Sequence, residues 1–127
     1  MKEANTIFVL AENRLLREPL SRLLRKKSDI SVVGEYGSTV GAIQQVAESC
    51  CEILLLDDAT TSRTNPNLVV QILEAVPDLK IILIGVDNDE ESFLHAVRCG
   101  AVGYLLREAS AMDVLAAVRA VARGEAV

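Results

Sequence analysis

The chain has 127 residues, half of them hydrophobic, and a net charge of −5. That length suits one domain with a sizeable core, and the acidic balance argues against a nucleic-acid surface here, which would need clustered Lys and Arg. No apolar run approaches a membrane span, Lys2 and Glu3 lead straight into a strand-like segment with no secretory leader, and three cysteines without metal spacing fit a reducing cytoplasm.

Short β-type runs alternate with amphipathic segments. Thr6–Leu10 is the first strand, and Asn13 caps a helix with Leu15, Leu16, Leu20, Leu23 and Leu24 on its apolar face. Pro19 falls inside that helix, where it removes one hydrogen bond and should kink it. Arg22, Arg25, Lys26 and Lys27 read as the solvated end of the same helix, where cations suit the helix dipole. Ile30–Glu35 is the second strand, and Ser38 caps a helix with Val40, Ile43 and Val46 inward. Cys50 and Cys51 follow as small buried residues, as Cys99 does later. Glu52–Leu56 is a strand without alternation, which is how a strand covered on both faces reads.

That strand ends in two acids, Asp57 and Asp58, and the stretch DATTSRTNPN continues as a loop. Asn65 and Pro66 then form a cap and first turn for a helix through Leu68, Val69, Ile72 and Leu73. Lys80–Ile84 is the fourth strand. Asp89, Glu90 and Glu91 open the fourth helix, His95 lies on its surface, and Gly100 closes it. Val102–Leu105 is the fifth strand, and Ser110 with Asp113 forms a capping box before Leu115, Val118 and Val121.

Five strands and five helices in strict alternation imply a doubly wound parallel sheet with right-handed crossovers. Ligands of such sheets bind outside the carboxyl ends of the strands, where the strand order reverses. Asp57 ends the third strand and Glu12 follows the first, so neighbouring strands would bring the two carboxylates together. Desolvating an ionised carboxylate is costly unless something pairs with it. Arg107 is the candidate counterion for Asp57.

The ordered set LLREPLSRLL, ISVVGEYGSTVGAI, EILLLDD, FLHAVRCGAVGYLLREAS and AAVRAVARGE resembles the receiver domain of bacterial response regulators. The likeness is strongest to the NarL/FixJ subgroup, whose receivers precede a LuxR-type helix-turn-helix. It implies a flavodoxin-like sheet of order 2-1-3-4-5, with residues 1–123 as the receiver and 124–127 as the start of a linker to an output domain. It also implies a signalling role without enzymatic activity, in the cytoplasm, with a histidine kinase or other signalling protein as partner. The faces of the fourth and fifth helices and the fifth strand are the partner surface that the resemblance implies, and a homodimer is one such assembly. DNA would be reached only through the absent output domain.

In that family an aspartate at the position of Asp57 takes a phosphoryl group as nucleophile. Mg²⁺, held by carboxylates, neutralises the charge. Two acids after the first strand help hold the ion, a Thr or Ser after the fourth strand and a Lys after the fifth bind phosphoryl oxygens, and an aromatic on the fifth strand turns inward. This chain carries Asp57 and the aromatic Tyr104 at those places, but Ala11-Glu12 for the acid pair, Gly85 for the hydroxyl and Arg107 for the lysine. The resemblance therefore implies weakened Mg²⁺ binding through Glu12 and Asp57, and impaired phosphorylation. A substitute carboxylate from Asp58 would have to bend into the site from the loop.

Overall fold

The computed structural model describes residues 4–125, apart from the side chains at 62–64. Five parallel strands form one sheet: β1 (Asn5–Leu10), β2 (Ile30–Tyr36), β3 (Ile53–Asp57), β4 (Lys80–Val86) and β5 (Gly103–Leu106), in the order β2-β1-β3-β4-β5. Six helices connect and cover them: α1 (Arg14–Arg25), α2 (Ala42–Ser49), α3 (Asp58–Thr64), α4 (Leu68–Ala75), α5 (Glu90–Arg98) and α6 (Ala111–Ala122). No helix among the described residues is long and apolar enough to cross a membrane.

The side chains of a strand alternate between faces, and each face of this sheet buries one set. Ile7, Val9, Ile53, Leu55, Ile82 and Ile84 pack against Leu20 and Leu24 of α1 and Val114, Val118 and Val121 of α6. Phe8, Leu10, Leu54, Leu56, Ile81 and Leu83 pack against Val46 of α2, Leu68 and Ile72 of α4 and Ala96 of α5. Every residue of β3 is buried, because β3 is central and covered on both sides. β2 bulges against β1 between Ile7 and Phe8. Gly34 opposes Phe8 there, and a Cβ on it would lie 2.7 Å from the Phe8 ring, so a side chain has no room.

The expected end signals hold at most helices. The Asn13 side chain accepts from the Leu15 N–H at 2.9 Å. Asp89 accepts from the Ser92 N–H at 2.8 Å. Ser110 and Asp113 exchange both bonds of a capping box. Gly124, in the left-handed region at φ 90°, ends α6, and the Glu125 N–H donates back to the Ala120 carbonyl. α1 runs as one element through Pro19.

Several expectations are corrected. Ser38 caps a turn, accepting from the Val40 N–H, and α2 starts later, after Gly41 at φ 77°. Val40 is consequently 79% exposed, and Leu15 is 86% exposed at the start of α1. The stretch after Asp57 is the helix α3, not a loop, and Asp58 in its first turn suits the positive end of the helix. Asn65 therefore ends α3, its side chain accepting from the Asn67 N–H, and α4 begins at Leu68. Cys50 is exposed and closes α2 at φ 54°, while Cys51 is buried.

Asp58 is the odd member of the core. It is 9% exposed, and its Oδ1 has no hydrogen-bond partner. It does not line the crevice beside Asp57, and His95 of α5 is among its charged neighbours. Burial pushes its pKa up. A charge on His95 acts in the opposite sense, and the nearby Asp57 and Asp87 add to the rise. His95 is accordingly half-buried rather than a surface residue.

A carboxyl whose pKa is raised on folding takes up its proton more readily in the folded state. Folding stability then falls as pH rises through the window above the ordinary value of 3.8. Asp58→Asn should raise the thermal midpoint by a few degrees at pH 7. The advantage should narrow steadily as pH is lowered toward 4, measured by circular dichroism melts across that range.

Candidate functional site

Asp57 is the last residue of β3, level with Ile84 of β4 and only 7% exposed. It shares the face of Leu55 and Ile53, so it points toward the α1 and α6 side of the strand ends. Thr60, one turn into α3, donates its hydroxyl toward Asp57 Oδ2 at 3.5 Å. The same hydroxyl accepts from the Glu12 N–H at 3.0 Å. One buried threonine thus joins the tip of β3 to the turn after β1.

That turn is held from its other side by Arg17. Its Nη1 donates to the Ala11 carbonyl at 2.6 Å, and its guanidinium pairs with Glu35 at the end of β2 at 3.4 Å. The Arg17 side chain is 12% exposed, so this cation is committed to the scaffold. Ala11 is fully buried and offers no carboxylate, whereas Glu12 is exposed at the lip of the crevice.

Gly85 lies across from Asp57 in β4. Its φ is 71°, a left-handed conformation that glycine adopts at little cost. A Cβ built on it would stand 3.0 Å from Asp57 Oδ1. The pairing of β4 with β5 slips between Leu83 and Val86, around this glycine. The position is therefore more than a missing hydroxyl. Its backbone has taken a path that suits the absence of a side chain.

Arg107 follows β5 and donates to Asp87 Oδ1 at 3.0 Å. That bond lifts its already high pKa, and Asp57 contributes only a lesser, longer-range pull. The expected ion pair of Arg107 with Asp57 is thus replaced by one with Asp87 at the rim. Tyr104 sits level with Leu83, on the opposite face from Asp57. Its ring meets Phe93 of α5 edge-on, with centroids 5.5 Å apart. Glu12, Asp57, Gly85 and Arg107 all line one cavity, and Tyr104 stands apart from it.

The sequence reading missed Thr60 and Arg17. Thr60 lay in a stretch read as irregular, although a helix starting at Asp58 would turn it back onto Asp57. Arg17 looked like any charged residue on a polar helix face. Among the described residues no group of three or more His, Cys, Asp and Glu converges as a metal site.

Residues 7–119 match the family model of the response regulator receiver domain. Similar curated proteins include the transcriptional regulatory protein YxjL of Bacillus subtilis, 28% identical over 99% of this chain and 58% of that protein. The oxygen regulatory protein NreC of Staphylococcus carnosus is 30% identical over 94% of this chain and 55% of its own length. The chain thus spans little more than half the length of these relatives. Among solved structures, the isolated receiver domain of RcsB from Salmonella enterica superposes with a TM-score of 0.86 over 98% of this chain and 93% of that one, at 16% identity. A LuxR-family response regulator from Aurantimonas gives 0.87 at 18% identity, over 98% of this chain and 89% of its own. With five parallel strands in the order β2-β1-β3-β4-β5 and an aspartate at the tip of β3, the chain belongs to the response regulator receiver domain family.

Proposed function

We propose that this chain is an atypical receiver domain of a transcriptional response regulator, switched by conformation or protein contact with little or no phosphorylation of Asp57. The observation that carries this reading is Gly85. A positive φ and a separation of 3.0 Å from Asp57 Oδ1 to a hypothetical Cβ leave no place for the hydroxyl that would receive a phosphoryl oxygen. Ala11 removes a second contact, and the Arg107–Asp87 pair diverts a third. Each missing polar contact costs on the order of 1–3 kcal/mol, or about ten- to a hundredfold in rate or affinity.

The residues present fit a divalent cation only as a weakly held, mostly hydrated ion. Glu12 and Asp57 would be its carboxylate ligands, which is near the minimum for Mg²⁺. When bound, the ion would supply charge neutralisation for a phosphoryl group. Asp57 remains the nucleophile candidate, Gly85, Tyr104 and Arg107 the altered switch positions. A second reading, a working receiver that takes a phosphoryl group from a histidine kinase, is favoured by the retained Asp57 and the hydroxyl of Thr60 beside it.

On either reading the domain is a cytoplasmic signalling module rather than an enzyme. Its partners would be a histidine kinase or another signalling protein and a second copy of the chain. DNA would be reached only through a helix-turn-helix domain joined by a linker that starts near Gly124. A signal then acts by favouring one conformation over another, for which a few kcal/mol of differential binding suffice.

Intact mass after incubation with Mg²⁺ and a small acyl phosphate, with Asp57→Ala as control, tests the proposal. Little or no adduct is expected under conditions that label an ordinary receiver; a single phosphoryl adduct absent from the control would overturn the reading. Gly85→Ser should fail to rescue labelling. It should also lower the thermal midpoint, because a side chain at φ 71° costs about 1–3 kcal/mol.

A further inference from the structure

Asp58 opens α3, is only 9% exposed, and buries its Oδ1 without a hydrogen-bond partner. A buried acceptor left unmade is a cost that folded chains seldom carry without a reason. The charged side chains within reach of this carboxyl are His95, Asp57 and Asp87, and of these His95 is the one that can donate to it. Cys99, one turn further along α5, is also close, but its thiol donates to the Ala96 carbonyl at 3.3 Å.

α5 is suited to carry His95 to that oxygen. Ser92, His95, Ala96 and Cys99 recur at helical spacing and form its buried and half-buried ridge, while Phe93, Val97 and Arg98 are exposed. Ala96 is the helix's one buried residue, against three in α4 and six in α6. An alanine buries little apolar surface, so a shift of α5 gives up little packing. Gly85 before the helix and Gly100 after it both lie in the left-handed region, at φ 71° and 102°. Glycine moves between backbone conformations at little cost, and the pairing of β4 with β5 already slips beside Gly85. A lightly anchored helix between two permissive links thus holds a donor near an acceptor that needs one.

We propose that α5 is a two-position element whose second position is latched by a hydrogen bond from the His95 imidazole to Asp58 Oδ1. A neutral imidazole has an N–H to give, so the latch needs no change of charge. The bond satisfies the orphaned oxygen, and the cost set against it is the repacking of Ala96. This deepens the reading of a receiver switched by conformation or protein contact, on which it rests, by naming the element and the contact that give it two states. A partner that binds α5 better in one position shifts the balance by that difference in affinity. Asp58 follows Asp57 directly, and Gly85 borders Asp57 Oδ1, so the latch and the crevice meet at the end of β3.

The test is amide nitrogen relaxation dispersion on the chain, which reads exchange between microseconds and milliseconds. Exchange is expected at Asp58, Ala59, Ser92, Leu94, His95 and Ala96, with a minor state of about 1–10%. Asp58→Leu, which removes the acceptor, and His95→Phe, which keeps a ring but removes the donor, should each abolish it. His95→Gln, whose amide offers an N–H at similar reach, should retain it. Arg98→Gln, on the exposed side of α5, should leave it unchanged, and thermal midpoints check that each variant folds. A flat profile along α5 in the unaltered chain would overturn the proposal. So would exchange that survives both Asp58→Leu and His95→Phe, or exchange that Arg98→Gln removes as well. A phosphoryl adduct on Asp57 with the exchange intact would sink the unphosphorylated reading and leave the latch standing; no adduct and no exchange would do the reverse.

Discussion

A carboxylate at the tip of a strand buried along its whole length is the constraint around which this domain is arranged. β3 has no solvent-facing side, so Asp57 can escape full burial only where the strand ends and the chain turns. The chain turns at once, into α3, and the first turn of that helix returns Thr60 to the carboxylate. Because the same hydroxyl takes the Glu12 N–H, the position of Asp57 and the path of the chain after β1 are fixed together. Gly85 completes the arrangement from β4 by leaving space where a side chain would meet Oδ1.

Arg17 and Arg107, two cations near the crevice, have partners of their own. Arg17 clamps the Ala11 carbonyl to Glu35, tying the ends of β1 and β2 to α1. That bond is partly buried, so it is screened less than an exposed pair. Arg107 and Asp87 are exposed, and pairs of that kind are worth little in water. Arg17 is therefore part of the frame, whereas Arg107 can be recruited at small cost.

The parallel sheet, its order and most helix ends were legible in the sequence, because each rests on a local pattern. IFVL, ILLL and IILI signal strands covered on both faces, and the Asn13, Asp89 and Ser110 caps are read from single side chains and their spacing. The site was legible only as a set of positions. Its misreadings share a cause: each depends on a backbone path that residue identity does not determine. Gly85 looked like a lost hydroxyl, but its φ and the slipped register beside it are properties of the folded sheet. The loop expected after Asp57 is a helix, which the short polar run DATTSRT does not announce. Arg107 looked like the partner of Asp57 because no sequence pattern marks Asp87 as the nearer acid.

The pairing of Arg107 with Asp87 also bears on how a phosphoryl signal at this crevice would be read. A phosphoryl group on Asp57 would add negative charge and compete with Asp87 for the guanidinium, drawing Arg107 inward across the end of β5. The Tyr104–Phe93 contact lies on the far side of the sheet, next to α5. It is mechanically close to Arg107 through β5 and remote from the apolar walls formed by α1. A switch driven by charge at Arg107 would therefore be read on the α5 and β5 face. The losses at Ala11 and Gly85 weaken that route at its source, because they act before any phosphoryl group reaches Asp57.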